Sequence, residues 1–243
     1  MRYNIGRYIF PILIALMAIT SISRLQPFDV IAGLLVVMTS LPIHEFAHGY
    51  VANKLGDPTA ENEGRLTLNP FAHLDLMGTL MILFVGFGWA KPVPVNPNNF
   101  KNPKAGMAIT AIAGPISNLI MAFLLMLVLQ FTFVAYKMTN NGTMEFVFSL
   151  VQVMVSINIS LAVFNLLPIH PLDGSRILSY FLPNKISYQI ESNAQIISLI
   201  FMAVIFFTDL ISTPLSYVSR MIYNLLVTIT QFVVPLAIAI MGG

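Results

Sequence analysis

The chain has 243 residues, of which 57% are hydrophobic and only 9% charged, with no cysteine and a formal net charge of +2. Soluble domains carry roughly 25% charged residues, so this balance, with a mean hydropathy of +0.81, excludes an ordinary soluble fold and gives no reason to expect a nucleic-acid partner. The absent cysteines exclude disulfides and thiolate metal sites, which leaves His, Asp and Glu as the strong metal ligands.

Taken in order, Arg2 and Arg7 precede a first apolar run, Tyr8 to Ile22, with no small-residue cleavage pattern at its end. It reads as a retained span rather than a signal peptide. A second span starts near Phe28 and carries His44-Glu45-Phe46-Ala47-His48 at its far end. Helix residues four apart share a face, so His44 and His48 can chelate one zinc ion while Glu45, one position round, leans over a zinc-activated water. Ionisable groups at membrane depth are costly and read as functional. A polar loop follows from Gly56 to about Asp75, in which Glu61 and Glu63 are solvated and His73 and Asp75 order the loop.

Met77 to Phe87 is apolar but about half the length of a crossing, which predicts a re-entrant or interfacial element. Trp89 to Lys104, rich in Pro and Asn, is not a helix interior. Within this region Gly86 to Val95 has the pattern of an exposed strand edge: the glycines allow close backbone approach, and Val93 and Val95 alternate with prolines that a central strand would refuse. Two clear spans come next, Ala105 to Tyr136 and Phe146 to Leu167, separated by the turn-like Asn140-Asn141-Gly142. Apolar segments at about Ala194 to Phe207 and Leu215 to Ile240 complete the chain.

The fold class is therefore an all-α polytopic membrane protein of about six transmembrane segments, with a short re-entrant or β-hairpin element after the zinc-motif helix. Residues 1–243 read as one domain, with a catalytic core at about 28–182 and peripheral spans at about 8–23, 194–207 and 215–240. With the N-terminus inside, nine of the twelve Lys and Arg residues fall on the inner side, and only Arg24, Lys137 and Arg220 on the outer side. This agrees with the positive-inside rule and places the motif, the Pro-rich loop and Asp173 toward the cytoplasm.

A hydrolytic zinc site has three protein ligands and an open position. The metzincin extension is excluded, because Val51 and Lys54 stand where it needs Gly and His. Asp173 is the strongest candidate for the third ligand: Pro168 and Pro171 open the helix before it and can present a carboxylate inward. His170 lies three residues away and competes for the role.

These residues resemble the site-2 proteases, intramembrane zinc metalloproteases. His44 to His48 matches that family's metal motif, and Asn165 through Pro168 to Leu172-Asp173-Gly174 its second motif. Gly86-Phe87-Gly88 resembles the Gly-x-Gly element, and Gly114-Pro115-Ile116-Ser117-Asn118 the Gly-Pro-x-x-Asn that opens a core span. The resemblance runs over about Leu41 to Gly174 and, without a PDZ or CBS insert, points to the small bacterial type. It implies one Zn2+ per chain on His44, His48 and Asp173, Glu45 as general base, and Asn165 on the carbonyl under attack. Gly86, Phe87, Gly88, Asn118 and His170 are then the substrate-binding candidates. The implied substrates are transmembrane proteins cleaved in or near their spans, in a bacterial cytoplasmic membrane. The competing readings are a membrane metal transporter, which gives no reason for Glu45 beside a ligand, and an inactive client-binding scaffold, against which the intact motif argues.

Overall fold

The computed structural model describes residues 27–85 and 90–242. The span expected at 8–23 and the Gly86-Phe87-Gly88 element lie outside the described residues. Among the described residues every regular element is helical. Helix α1 (Pro27–Leu35) runs through a π-helical turn, Val36–Ser40, into α2 (Leu41–Lys54), which carries the His-Glu motif. Short helices α3 (Thr59–Asn62) and α4 (Pro70–His73) and the ten-residue α5 (Leu76–Val85) follow. The bundle centre is α6 (Pro103–Thr139) packed against α7 (Gly142–Asn165). Beyond it lie α8 (Asp173–Phe181), α9 (Asn184–Ser192), α10 (Ala194–Phe207), α11 (Ser212–Thr230) and α12 (Val233–Met241).

Length and hydropathy qualify three helices as membrane spans: Val30–Lys54, Pro103–Thr139 and Gly142–Asn165. Two bent pairs, α9 with α10 at 66° and α11 with α12 at 51°, raise the number to as many as five. The two central boundaries have local causes. Pro103 occupies the first turn of α6, where its missing N–H is no loss, and the Asn102 side chain accepts from Ala105 N at 3.2 Å. At the other end Asn140 takes a left-handed conformation, φ 47°, and Asn141 accepts from Thr143 N to start α7. The expected Asn-Asn-Gly turn is thus the hinge between the two central spans.

One of three sequence expectations holds and two are not met among the described residues. Met77 to Phe87 begins as helix α5, whose ten residues cover only about 15 Å of a roughly 30 Å core. Residues 90–96 are irregular, so the expected hairpin has no partnered strand among the described residues. The segment 194–207 does not cross by itself: α10 has 14 residues, about 21 Å. Its Ser198 bonds His170 and its Phe201 ring lies 5.9 Å from Phe164, so α10 stays by the Asn165 end of α7. From there α11 and α12 run in the sense of α6. Thr230 meets Gln130, and Gly242 lies near Met138. Arg220, expected at the same end as Lys137, instead shares a cavity of about 150 Å³ with Ser156 and Ser160 in the middle of α7.

The core joins Ala122, Met126 and Leu129 of α6 to Val155 and Ile159 of α7, with Ile222, Tyr223, Leu226 and Val227 of α11 packed over them. A buried polar bond, Asn158 Nδ2 to Ser40 Oγ at 3.0 Å, ties α7 to the π-helical turn just before the motif. Interhelical hydrogen bonds in membranes average about 0.6 kcal/mol, whereas emptying a well-packed Met site costs about 2–5 kcal/mol. Met126→Ala should therefore destabilise the protein by more than Asn158→Ala does, measured by reversible unfolding in mixed micelles. A larger loss for Asn158→Ala would make the polar bond the principal tie.

Candidate metal centre

Three side chains from two distant parts of the chain converge. His44 and His48 project from one face of α2, both buried, with ring centroids 4.6 Å apart. Asp173 opens α8, where the positive end of the helix dipole favours a carboxylate. His44 Nε2 lies 3.0 Å from His48 Nε2, and Asp173 Oδ2 lies 3.2 Å from the first and 3.3 Å from the second. Ligand atoms about 2.0–2.1 Å from a tetrahedral zinc ion are separated by about 3.3–3.4 Å. The observed triangle has close to those edges.

Hydrogen bonding says what the triangle needs. His48 Nδ1 lies 2.7 Å from the Thr110 carbonyl, which only accepts, so Nδ1 carries the hydrogen and Nε2 of the neutral ring offers a lone pair. Asp173 Oδ2 and His44 Nδ1 are buried without a hydrogen-bond partner. A proton on His44 Nε2 serves one neighbour and leaves the other unsatisfied. A cation between the two Nε2 atoms and Asp173 Oδ2 satisfies those three, while His44 Nδ1 keeps its hydrogen and stays unpaired among the described residues, so the donor set fits a divalent metal. His44, His48 and Asp173 are also the only such cluster among the described residues.

Backbone close approaches hold this geometry. Gly114 of α6 faces both imidazoles: a Cβ there would overlap His48 Nε2 and lie 2.6 Å from His44 Nε2. A Cβ at Gly174 would overlap the carbonyls of Leu166 and Leu167, so the loop after α7 closes directly on the start of α8. At the other end of α8, Lys104 of α6 donates from Nζ to the Leu182 carbonyl at 2.7 Å and satisfies an orphan acceptor.

Glu45, beside His44, accepts from Val93 N through Oε2 at 2.9 Å. Val93 belongs to a Pro-rich strap secured on both sides. Lys91 N donates to the His73 carbonyl, Arg65 Nη2 to the Lys91 and Pro92 carbonyls, and Asn96 N to Asp57 Oδ2. Asp57, 0% exposed, also accepts from Asn99 Nδ2 and from the backbone and hydroxyl of Thr59. Burial alone would push its carboxyl up, but the donors of Thr59, Asn99 and Asn96 hold it below the usual value. Sequence reading missed this clasp. The available signal was Gly56-Asp57-Pro58-Thr59, an Asp two residues before a Thr in a turn.

The remaining candidates separate. Asn165 Nδ2 donates to the Leu161 carbonyl of its own helix at 3.0 Å. Asn118, one turn beyond Gly114 and 1% exposed, has neither amide atom bonded among the described residues. His170 stands outside the triangle: its Nδ1 pairs with Ser198 Oγ at 3.1 Å, and burial together with the Arg176 charge lowers its pKa against the opposing pull of Glu191. His73 bonds the Thr67 carbonyl and Asp75 caps Gly78 N, both within their own loop.

Gly114→Ala should push both imidazoles aside. Zinc content of the purified protein should fall well below that of the wild type, while Gly142→Ala, with nothing within 4 Å of its added Cβ, should keep it. Equal zinc in all three proteins would mean that the close approach does not shape the site.

Residues 32–208 match the family model described as Peptidase family M50. Zinc metalloprotease MJ0392 of Methanocaldococcus jannaschii is 28% identical over 63% of this chain and 35% of its own length. YwhC of Bacillus subtilis is 44% identical, over 65% of this chain and 71% of the relative. Rip2 of Mycolicibacterium smegmatis is 32% identical over 60% and 54%. The last two are provisionally named zinc metalloproteases. The chain thus spans about a third and a half of the lengths of MJ0392 and Rip2, and most of YwhC. No solved structure gives a significant match. The family model covers well over half of the chain, through both the His44-to-His48 motif and Asp173, and the chain belongs to peptidase family M50.

Proposed function

We propose that this chain is an integral-membrane zinc metalloendopeptidase that hydrolyses peptide bonds within or near the transmembrane segments of other proteins. The observation that carries the reading is the buried triangle of His44, His48 and Asp173 with the Glu45 carboxylate beside it. Zinc held by those three ligands supplies Lewis acidity, lowering the pKa of a water toward about 7 and polarising the scissile carbonyl. Glu45 receives the water's proton on Oε1, the oxygen its bond to Val93 leaves free, and returns it to the leaving amine. The second N–H of Asn165 donates to the carbonyl oxygen as its charge grows, a contact worth about 3 kcal/mol. Asn118, buried with an unpaired amide on the face of α6 that meets the imidazoles, completes the polar wall against which substrate lies.

A substrate helix hides its peptide bonds in its own hydrogen bonds and must unwind before attack. The edge expected at Gly86 to Val95 would hold the unwound stretch by β-augmentation through the groups the strap leaves unused, such as Val95 N. The catalytic core is taken as about 28–182, and the apolar run at 8–23 is counted in the sequence as a further span. The lysine and arginine bias favours a site toward the cytoplasmic side of a bacterial cytoplasmic membrane.

Purified protein in detergent, with a model transmembrane substrate and metal analysis, tests this reading. Glu45→Gln should keep its zinc and lose cleavage by at least about 100-fold. Asp173→Ala should lose both, and His170→Ala should keep zinc. Near-normal turnover by Glu45→Gln would contradict the mechanism, and zinc loss confined to His170→Ala would move the third ligand.

A further inference from the structure

We infer that the backbone N–H of Val93 is a positioning group for the catalytic base, presented by the strap of residues 91–96. The inference rests on the reading of Glu45 as that base and adds a residue to it. The Glu45 carboxylate ends a side chain with three rotatable bonds, and its one hydrogen bond among the described residues comes from Val93 N at 2.9 Å. That bond occupies Oε2 and leaves Oε1 for the water, which fixes both the rotamer and the role of each oxygen.

The strap is built to present this one donor. Pro92 and Pro94 have no N–H and flank Val93, and the residue before a proline is held in the extended region. Val93 therefore has a restricted backbone and the only N–H among three consecutive residues. The neighbouring donors are already used: Lys91 N on the His73 carbonyl and Asn96 N on Asp57. Arg65 grips the carbonyls of Lys91 and Pro92 immediately before it, and the Asp57 clasp grips Asn96 and Asn99 after it. The Val93 side chain is 9% exposed and lies on Gly49 of α2, one turn beyond Glu45, so the strap and the motif helix are packed at this point. These contacts on and beside the strap converge on the placement of one N–H.

The test separates that N–H from the side chain. Val93 is replaced by its α-hydroxy acid through nonsense suppression, which exchanges N–H for an ester oxygen and keeps the isopropyl group. Val93→Ala keeps the N–H and removes most of the packing, and Val93→Pro removes the N–H by conventional mutagenesis. The ester and Val93→Pro should lower kcat by about 10- to 100-fold, the worth of a hydrogen bond to a charged group, with KM and zinc content close to wild type. Val93→Ala, which keeps the N–H, should lose less of kcat than either. In metal-free protein, the Val93 amide should exchange its hydrogen more slowly than the Val95 amide, and Glu45→Ala should abolish that protection. Wild-type kcat in the ester, or protection unchanged in Glu45→Ala, would overturn the inference. Cleavage by Glu45→Gln would overturn instead the reading of the base.

Discussion

Three lone pairs, on His44, His48 and Asp173, meet within 3.0–3.3 Å of one another in a buried site, and the architecture around them exists to hold that convergence. Without a cation it is unfavourable, because buried acceptors have no compensating donor and the surrounding medium screens little. On the proposed reading zinc balances the charges: its two positive charges meet the carboxylates of Asp173 and Glu45, and the imidazoles stay neutral. Neutrality matters more here than in water, since the cost of an uncompensated charge rises steeply at membrane depth.

Each neighbouring element contributes a close approach or an orienting bond. Helix α6 supplies the Thr110 carbonyl that fixes the His48 tautomer and the bare Cα of Gly114 that lets the imidazoles pack on its backbone. Lys104 at its start anchors the far end of α8, the helix that begins with Asp173. Helix α7 reaches the motif through Asn158 and Ser40, then ends at Asn165 beside the loop that Gly174 allows to close. The strap covers the remaining side and touches the site through Glu45. The three candidate ligands rest on helices, whereas Glu45 is held by a loop pinned through buried Asp57 and Arg65.

The features legible in the sequence depend on neighbours in the chain. The spans at 103–139 and 142–165 follow from hydropathy, and their hinge from Asn tolerating left-handed backbone. The pairing of His44 with His48 follows from helix spacing, and the convergence of Asp173 with them was implied by the resemblance of its second motif. What escaped depends on remote partners. Asp57 meets Asn96 and Asn99 across about forty residues, and Val93 meets Glu45 across a similar gap, with no local pattern to announce either. The direction of α11 escaped for another reason: the apolar run at 194–207 reads as a crossing, but its helix is too short to reach the other side. Arg220, counted at the Lys137 end, lies instead beside Ser156 and Ser160.

X-ray absorption at the zinc edge of the purified protein tests the central claim most directly, because it reads the ligands without passing through activity. The account predicts one zinc per chain, bound by two imidazole nitrogens and by oxygens at about 2.0–2.1 Å, with the zinc signal lost in His44→Ala and the imidazole signal unchanged in His170→Ala. A three-imidazole shell, or a spectrum unaltered in Asp173→Ala, would contradict it.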